Sequence, residues 1–282
     1  MSYPPGSMAI SAKIGLVIIA AVTIAGVGYF FIKDDSAPTG LRELPTVAPA
    51  QQVATPVARP IDKPVYDEPK DVPQAEPLPD LNDSDTSVIG ALRALNINGL
   101  VEMIIPEEIL RKFVRAVDAV EDGKVVTEYR PIASPQGAFV ADSFHVKVAG
   151  GEIGESEEVE QFRVSPKNYM RYTLFVQVMS GLDSDAAIAV YKRFYPLLNK
   201  AYQEMGLNKG NFHSVLIRAI DNVLAAPAAT GDMILVRPKV YYEFADPALE
   251  KLPATHKLML RMGSNNEQSI KQSLKSIRSK LI

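Results

Sequence analysis

The hydrophobic pattern divides the chain into three zones. Residues 14–32, IGLVIIAAVTIAGVGYFFI, are nineteen positions without a charge, bounded by Lys13 and by Lys33, Asp34 and Asp35. At about 1.5 Å per residue a helix of that length covers roughly 28 Å, close to the hydrocarbon thickness of a bilayer. The run is longer than a signal-peptide core and lacks an Ala-x-Ala exit, so the expectation is one uncleaved transmembrane helix. Tyr29, Phe30 and Phe31 at its end suit the headgroup level. Residues 33–79 show no period. They hold Pro38, Pro45, Pro49, Pro56, Pro60, Pro64, Pro69, Pro73, Pro77 and Pro79 among polar and small residues. Too few large apolar side chains remain to build a core, so this zone reads as a disordered proline-rich stalk, a plain spacer. Fully extended, it could reach on the order of 100 Å.

Periodicity returns in residues 80–282 and is mostly helical. Val88, Leu92 and Leu95 predict a first helix over 81–95, capped by Asp83, Ser84 or Asp85. Ile109, Phe113, Val117 and Val120 predict a second from Pro106, closed by Asp122-Gly123. The period then falls to two. KVVTEY (124–129), Ala138–Val140 and Phe144–Val148 read as strands, with Phe139 and Phe144 packing this insert on the helices. The acidic cluster Glu152, Glu155, Glu157, Glu158 and Glu160 reads as a solvated loop or strand edge. Helices follow over Pro166–Val178, from an Asp183 or Ser184 cap to Gly206 with a kink near Pro196, and over 211–225. Two short extended pieces flank Arg237-Pro238. Two last helices are expected from Pro253 to Met262 and from Asn265 to Leu281. The fold class is therefore mainly α: a helical domain with a small antiparallel β insert, preceded by one transmembrane helix and the stalk. In order, the parts are a short cytoplasmic N-terminus (1–13), the membrane helix (14–32), the stalk (33–79) and the domain (80–282).

Charge changes the picture in one place. The formal net charge is −3. Within 251–282, Lys251, Lys257, Arg261, Lys271, Lys275, Arg278 and Lys280 oppose Glu267 alone. Lys271, Lys275 and Arg278 share a face of the last helix, with Lys280 in its last turn. The simpler reading is a solvated face of a docked helix; the functional one is contact with an anionic surface. Nucleic acid is not expected at this overall charge.

Candidate chemistry is sparse. The chain has no cysteine and three histidines, His145, His213 and His256, with no ligand spacing among them. No structural metal, cofactor, phosphate loop or nucleophile motif is indicated. Arginine and tyrosine recur together instead: Arg171 with Tyr172, Arg193 with Tyr195, Arg237 ahead of Tyr241, Tyr242, Glu243 and Asp246, and then Arg261. Two readings stand. The tyrosines pack in the core and the arginines pair with Glu243 or Asp246, or together they line a recognition groove.

Those residues also carry a resemblance. YKRFYPLLNKAYQEMG, LIRAIDNVLAAP, RPKVYYEFADPALEKL and HKLMLRMGSNNEQSIKQSLKSIR resemble an uncharacterised proteobacterial domain family, number 3014 of the domains of unknown function. The resemblance singles out Asn168, Tyr169, Arg171, Tyr172, Arg193, Tyr195, Pro196, Arg237, Pro238, Tyr241, Phe244, Asp246, Pro247, Arg261, Met262, Gly263 and Asn266. It implies the Gram-negative envelope as the setting and no mechanism. The expectation is a non-enzymatic interaction or scaffold module, anchored in the inner membrane by one helix with its C-terminal domain in the periplasm. Its expected partner is an envelope protein or wall polymer. A wall-polymer hydrolase and an anionic polymer- or lipid-binding module are the alternatives.

Overall fold

Helices bury apolar stripes against one another, and a small sheet packs over an apolar cluster of its own. The computed structural model describes residues 63–70, 77–126, 128–149, 156–207, 209–229 and 233–282. The expected span at 14–32 and most of the stalk lie outside the described residues. Among the described residues no single helix is long and apolar enough to cross a membrane. One pair of helices, Thr173–Ser180 with Ser184–Glu204, satisfies that test by length and composition, bent by 89° at the break.

A 3-10 turn at Leu81–Asp83 leads into α1 (Asp85–Arg93), which buries Val88 and Leu92. The short α2 (Leu100–Met103) follows Gly99. The expected caps of α1 are used differently. The Ser84 hydroxyl donates back to the Leu81 carbonyl. The Asp85 carboxylate accepts from the Glu108 and Ile109 amides, so it caps the helix after α2 instead. That helix, α3 (Ile109–Glu121), begins three residues past Pro106, because Glu108 sits at φ 51° outside it. Its predicted stripe of Ile109, Phe113, Val117 and Val120 is buried. Each such side chain contributes roughly 1.5–3 kcal/mol.

Residues 124–126 are not a strand; the pairing nearby among the described residues is a single bridge between Ile104 and Ile132. Residues 138–140 are not a strand either, while the expected strand Phe144–Val148 lies within β1 (Ala141–Ala149), paired antiparallel to β2 (Ser156–Val164). The predicted helix over 166–178 divides into α4 (Lys167–Arg171) and α5 (Thr173–Ser180). α6 (Ser184–Glu204) starts where the Asp183 carboxylate accepts from the Ala186 amide, and it continues through Pro196. α7 (Phe212–Leu224) starts at Asn211, which accepts from the Ser214 amide. β3 (Ile234–Val236) and β4 (Glu243–Phe244) flank Arg237-Pro238 as expected and complete a four-stranded antiparallel sheet in the order β1-β2-β3-β4. α8 (Pro247–Glu250), α9 (Ala254–Arg261) and α10 (Ser264–Leu281) close the domain.

The described residues form two apolar cores. The large one joins α1, α3, α5, α6, α7, α9 and α10 around Phe113, Tyr172, Tyr191, Phe194, Tyr202 and Phe212. The small one lies under the sheet, with Val164, Met233, Leu235, Phe244 and Leu260. The bent pair α5 and α6 gives Phe175, Val178, Met179, Val190 and Phe194 to the large core, which accounts for its apolar composition.

Candidate functional site

The sequence-predicted arginines and tyrosines fall into separate places. One group lies where α4, α9 and β4 meet. Asn168, with no exposed surface, accepts from the Val140 amide at 3.0 Å and donates to the Val140 and Ser165 carbonyls. Arg171 donates to the Asn168 side chain at 3.3 Å and to the Gln136 carbonyl at 3.1 Å. Arg261 is buried, donates to the Tyr242 carbonyl at 3.1 Å, and lies 5.0 Å above the Phe244 ring. Burial lowers the pKa of Arg261, with Glu250 and Tyr172 acting the other way. Burial likewise raises that of Tyr172 well above the usual phenol range, against Arg171 and Arg261. Tyr242 packs edge-on against Phe162 at 5.0 Å, and Arg237 covers its ring at 5.3 Å.

Glu243 is exposed on β4. Asp246 caps α8 by accepting from the Ala248 amide. It is Glu250, absent from the sequence-based candidates, that accepts from the Phe244 amide and pairs with Lys257. Tyr241 is 43% exposed. This group braces elements against one another, through backbone carbonyls and through the Asn168 side chain.

Tyr195 belongs to a second group with Tyr191 and His213. The His213 Nε2 faces the Leu281 carbonyl at 3.1 Å. A carbonyl can only accept, so the proton sits on Nε2, and Nδ1 accepts from the Tyr191 hydroxyl at 2.9 Å. Burial lowers the His213 pKa, countered by the Leu281 carbonyl and the Glu68 charge. Burial and Glu68 raise that of Tyr195. Arg193 sits apart, 5.6 Å over the Phe194 ring. Beside His213 is a cavity of about 420 Å³, walled by Tyr66, Glu68, Tyr191, Lys192, His213 and Lys280 among others. Both nitrogens of its imidazole are engaged, neither with a carboxylate, so a Ser- or Cys-type relay is not assembled there. No cluster of three metal-ligating side chains occurs among the described residues.

The basic face of α10 is largely neutralised by neighbours in space. Lys271 pairs with Glu267 at 2.6 Å and donates to the Ala226 carbonyl. Arg278 forks onto Asp221, and Lys280 meets Asp185. Lys275 is exposed.

Two features depart from the sequence-based expectations. The first is the end of the stalk: residues 63–70 lie on α7 rather than apart from the domain. Lys63 pairs with Glu121 at 2.8 Å, and Arg218 donates to the Pro64 carbonyl and to Glu121, each at 2.8 Å. The Tyr66 amide donates to the Ser214 hydroxyl at 2.7 Å, and its carbonyl accepts from Asn211 at 3.0 Å. The signal was present, since Tyr66 is the single aromatic residue between 33 and 79.

The second is the arm formed by β1 and β2. All nine residues of β1 pair with β2, yet only Phe162 and Arg163 of β2 pair onward with β3. The rest is a two-stranded ribbon. Alternation puts Phe144, Val146, Val148 and Val159 on one face. None belongs to either core. Val148 is 38% exposed, and Phe144 is covered by the Arg163 guanidinium at 4.4 Å. The other face carries His145 opposite Glu160 and Lys147 opposite Glu158. The alternating FHVKV pattern was legible as a strand, but that neither core of the described residues covers it was not.

No curated protein and no solved structure matches the chain. The model of a protein family of unknown function, DUF3014, matches residues 109–278, from the start of α3 into the last turn of α10 and including the whole sheet. The chain belongs to the DUF3014 family.

Proposed function

We propose that this chain is a non-enzymatic, membrane-tethered interaction module of the Gram-negative envelope. Residues 14–32 hold it in the inner membrane, the proline-rich stretch crosses part of the periplasm, and the domain engages another envelope component through the arm. The observation that carries this reading is the ribbon of β1 and β2. A two-stranded ribbon whose apolar stripe is packed into neither core of the described residues is marginal by itself and gains stability from a further strand or layer. The hydrolase alternative needs Glu243 or Asp246 beside a histidine. One is exposed on β4 and the other caps a helix. The anionic-surface alternative needs free cations on α10, and three of the four candidates have acidic neighbours.

Envelope crosslinking followed by pull-down of the full-length protein tests the proposal, with Val146→Lys run beside it. A stable complex lost in the variant is the expected result. No stable complex, together with turnover of isolated wall fragments, overturns it. An alkaline phosphatase fusion after residue 282 should be active; a well-expressed inactive fusion reverses the orientation.

A further inference from the structure

β1 is the end strand of the sheet, and its outer edge has no partner strand among the described residues. Hydrogen bonding fixes which of its backbone groups face outward. The Val140 carbonyl accepts from the Ser165 amide, on the β2 side. In an antiparallel ladder a residue turns its N–H and C=O to one side and its neighbour turns them to the other. Asp142, Phe144, Val146 and Val148 therefore face β2, and Ala141, Ser143, His145, Lys147 and Ala149 face out. The same alternation runs through the sheet: Phe162 pairs with Leu235 of β3, and the next carbonyl along, Ile234, turns away to accept from Ala245.

We propose that the strand covering this edge is β1 of a second copy of the chain, joined across a two-fold axis at His145. The inference rests on the arm being the contact surface. Chemistry and register select the occupant. His145 is the midpoint of Ala141–Ala149, so this centre pairs all nine residues of each copy. It also brings outward-facing residues together, as a ladder requires. Ser143 then lies opposite the second copy's Lys147, and Phe144 opposite its Val146, so two apolar stripes merge on one face of an eight-stranded sheet. No like charges oppose one another. Moving the centre to Val146 sets His145 against Lys147. Moving it to Lys147 opposes two lysines, which is unfavourable. A two-fold contact also closes on itself, whereas pairing of a β1 edge with a β2 edge would propagate without end.

The test uses the full-length chain in detergent, with its mass measured by light scattering. His145→Pro removes an outward N–H and leaves the ladder to β2 intact. Val146→Lys keeps every backbone bond and charges the stripe. A dimer is expected for the native sequence, with both variants at least about tenfold weaker in association and unchanged in far-UV circular dichroism. The chain lacks cysteine, so His145→Cys gives one defined crosslinking site. A short bismaleimide should join two copies of it in membranes. A monomer with no crosslink at 145 overturns the two-fold contact. The envelope-module reading still stands if pull-down of another protein depends on Val146. Crosslinking between one copy carrying Lys147→Cys and another carrying Glu158→Cys, with none at His145→Cys, means end-to-end stacking and also overturns it. So does a dimer that His145→Pro leaves intact.

Discussion

At the residue scale, Glu121 holds a charge where water scarcely reaches, its side chain 1% exposed. Burial by itself would raise its pKa, yet Lys63, Arg218 and Lys209 hold it below the ordinary 4.5. A carboxylate with a depressed folded pKa contributes stability that is fully present above the unfolded value and is lost as pH falls through the folded one. The midpoint of urea unfolding should therefore drop as pH is lowered below about 4.5, and more shallowly in Glu121→Gln. Removing a partner costs more than removing the pair. Arg218→Met leaves the acid buried with weaker compensation and should lose about 3–5 kcal/mol at neutral pH by the same measurement. His213 acts in a higher window. Its pKa is lowered by burial, so its contribution is complete above roughly 6.5 and erodes as pH falls below that. Thermal melts from pH 7.5 to 5.5 should show this decline, and His213→Gln should flatten it.

At the element scale, the junction of α9 and α10 shows why one substitution can have opposite effects in two places. Gly263 has φ 88° and ψ 153°, and a Cβ there would lie 2.8 Å from the Tyr169 ring. Asn266 then ties the new helix back to the Tyr169 and Met262 carbonyls, both at 2.9 Å. Gly263→Ala should destabilise by at least about 2 kcal/mol, from backbone strain and overpacking together. Gly90, in the middle of α1, has nothing within 4 Å of its would-be Cβ, and Gly90→Ala should stabilise by roughly 0.5–1 kcal/mol. Urea unfolding of both variants reads the contrast. Helices were legible in the sequence wherever a long stripe coincided with a local cap, as at Asp183 and Asn211. They were misplaced where the cap came from afar, as when Asp85 fixes the start of α3. KVVTEY has strand-like alternation, but its described residues form no strand, because periodicity cannot state whether a neighbouring strand exists. The candidate site was legible in its residue types and not in its pairings. Arg261 donates to the Tyr242 backbone carbonyl, a bond that no pattern of side chains reveals.

At the scale of the whole molecule, the docked segment 63–70 alters what a tether would do. A spacer beginning at residue 33 and free to residue 79 has forty-seven residues; one fastened to α7 from Lys63 has thirty. At about 3.1 Å per extended residue the reach falls by roughly a third. The same segment walls the cavity at His213 with Tyr66 and Glu68, so its release would open that cavity and uncover the Glu121 pair. Asn211 and Ser214 each serve twice here, closing the first turn of α7 and binding Tyr66. Hydrogen exchange separates a fastened segment from a loose one, since an amide exchanges only when its bond opens. The Tyr66 amide, held by the Ser214 hydroxyl, should exchange slowly in the native chain. Ser214→Ala leaves Asn211 as the cap of α7 and removes that acceptor, so exchange across 63–70 should rise about tenfold, equivalent to roughly 1.4 kcal/mol, while α7 itself stays protected. Equal, fast exchange of this segment in both proteins would mean that it is not fastened in solution and that the longer reach applies.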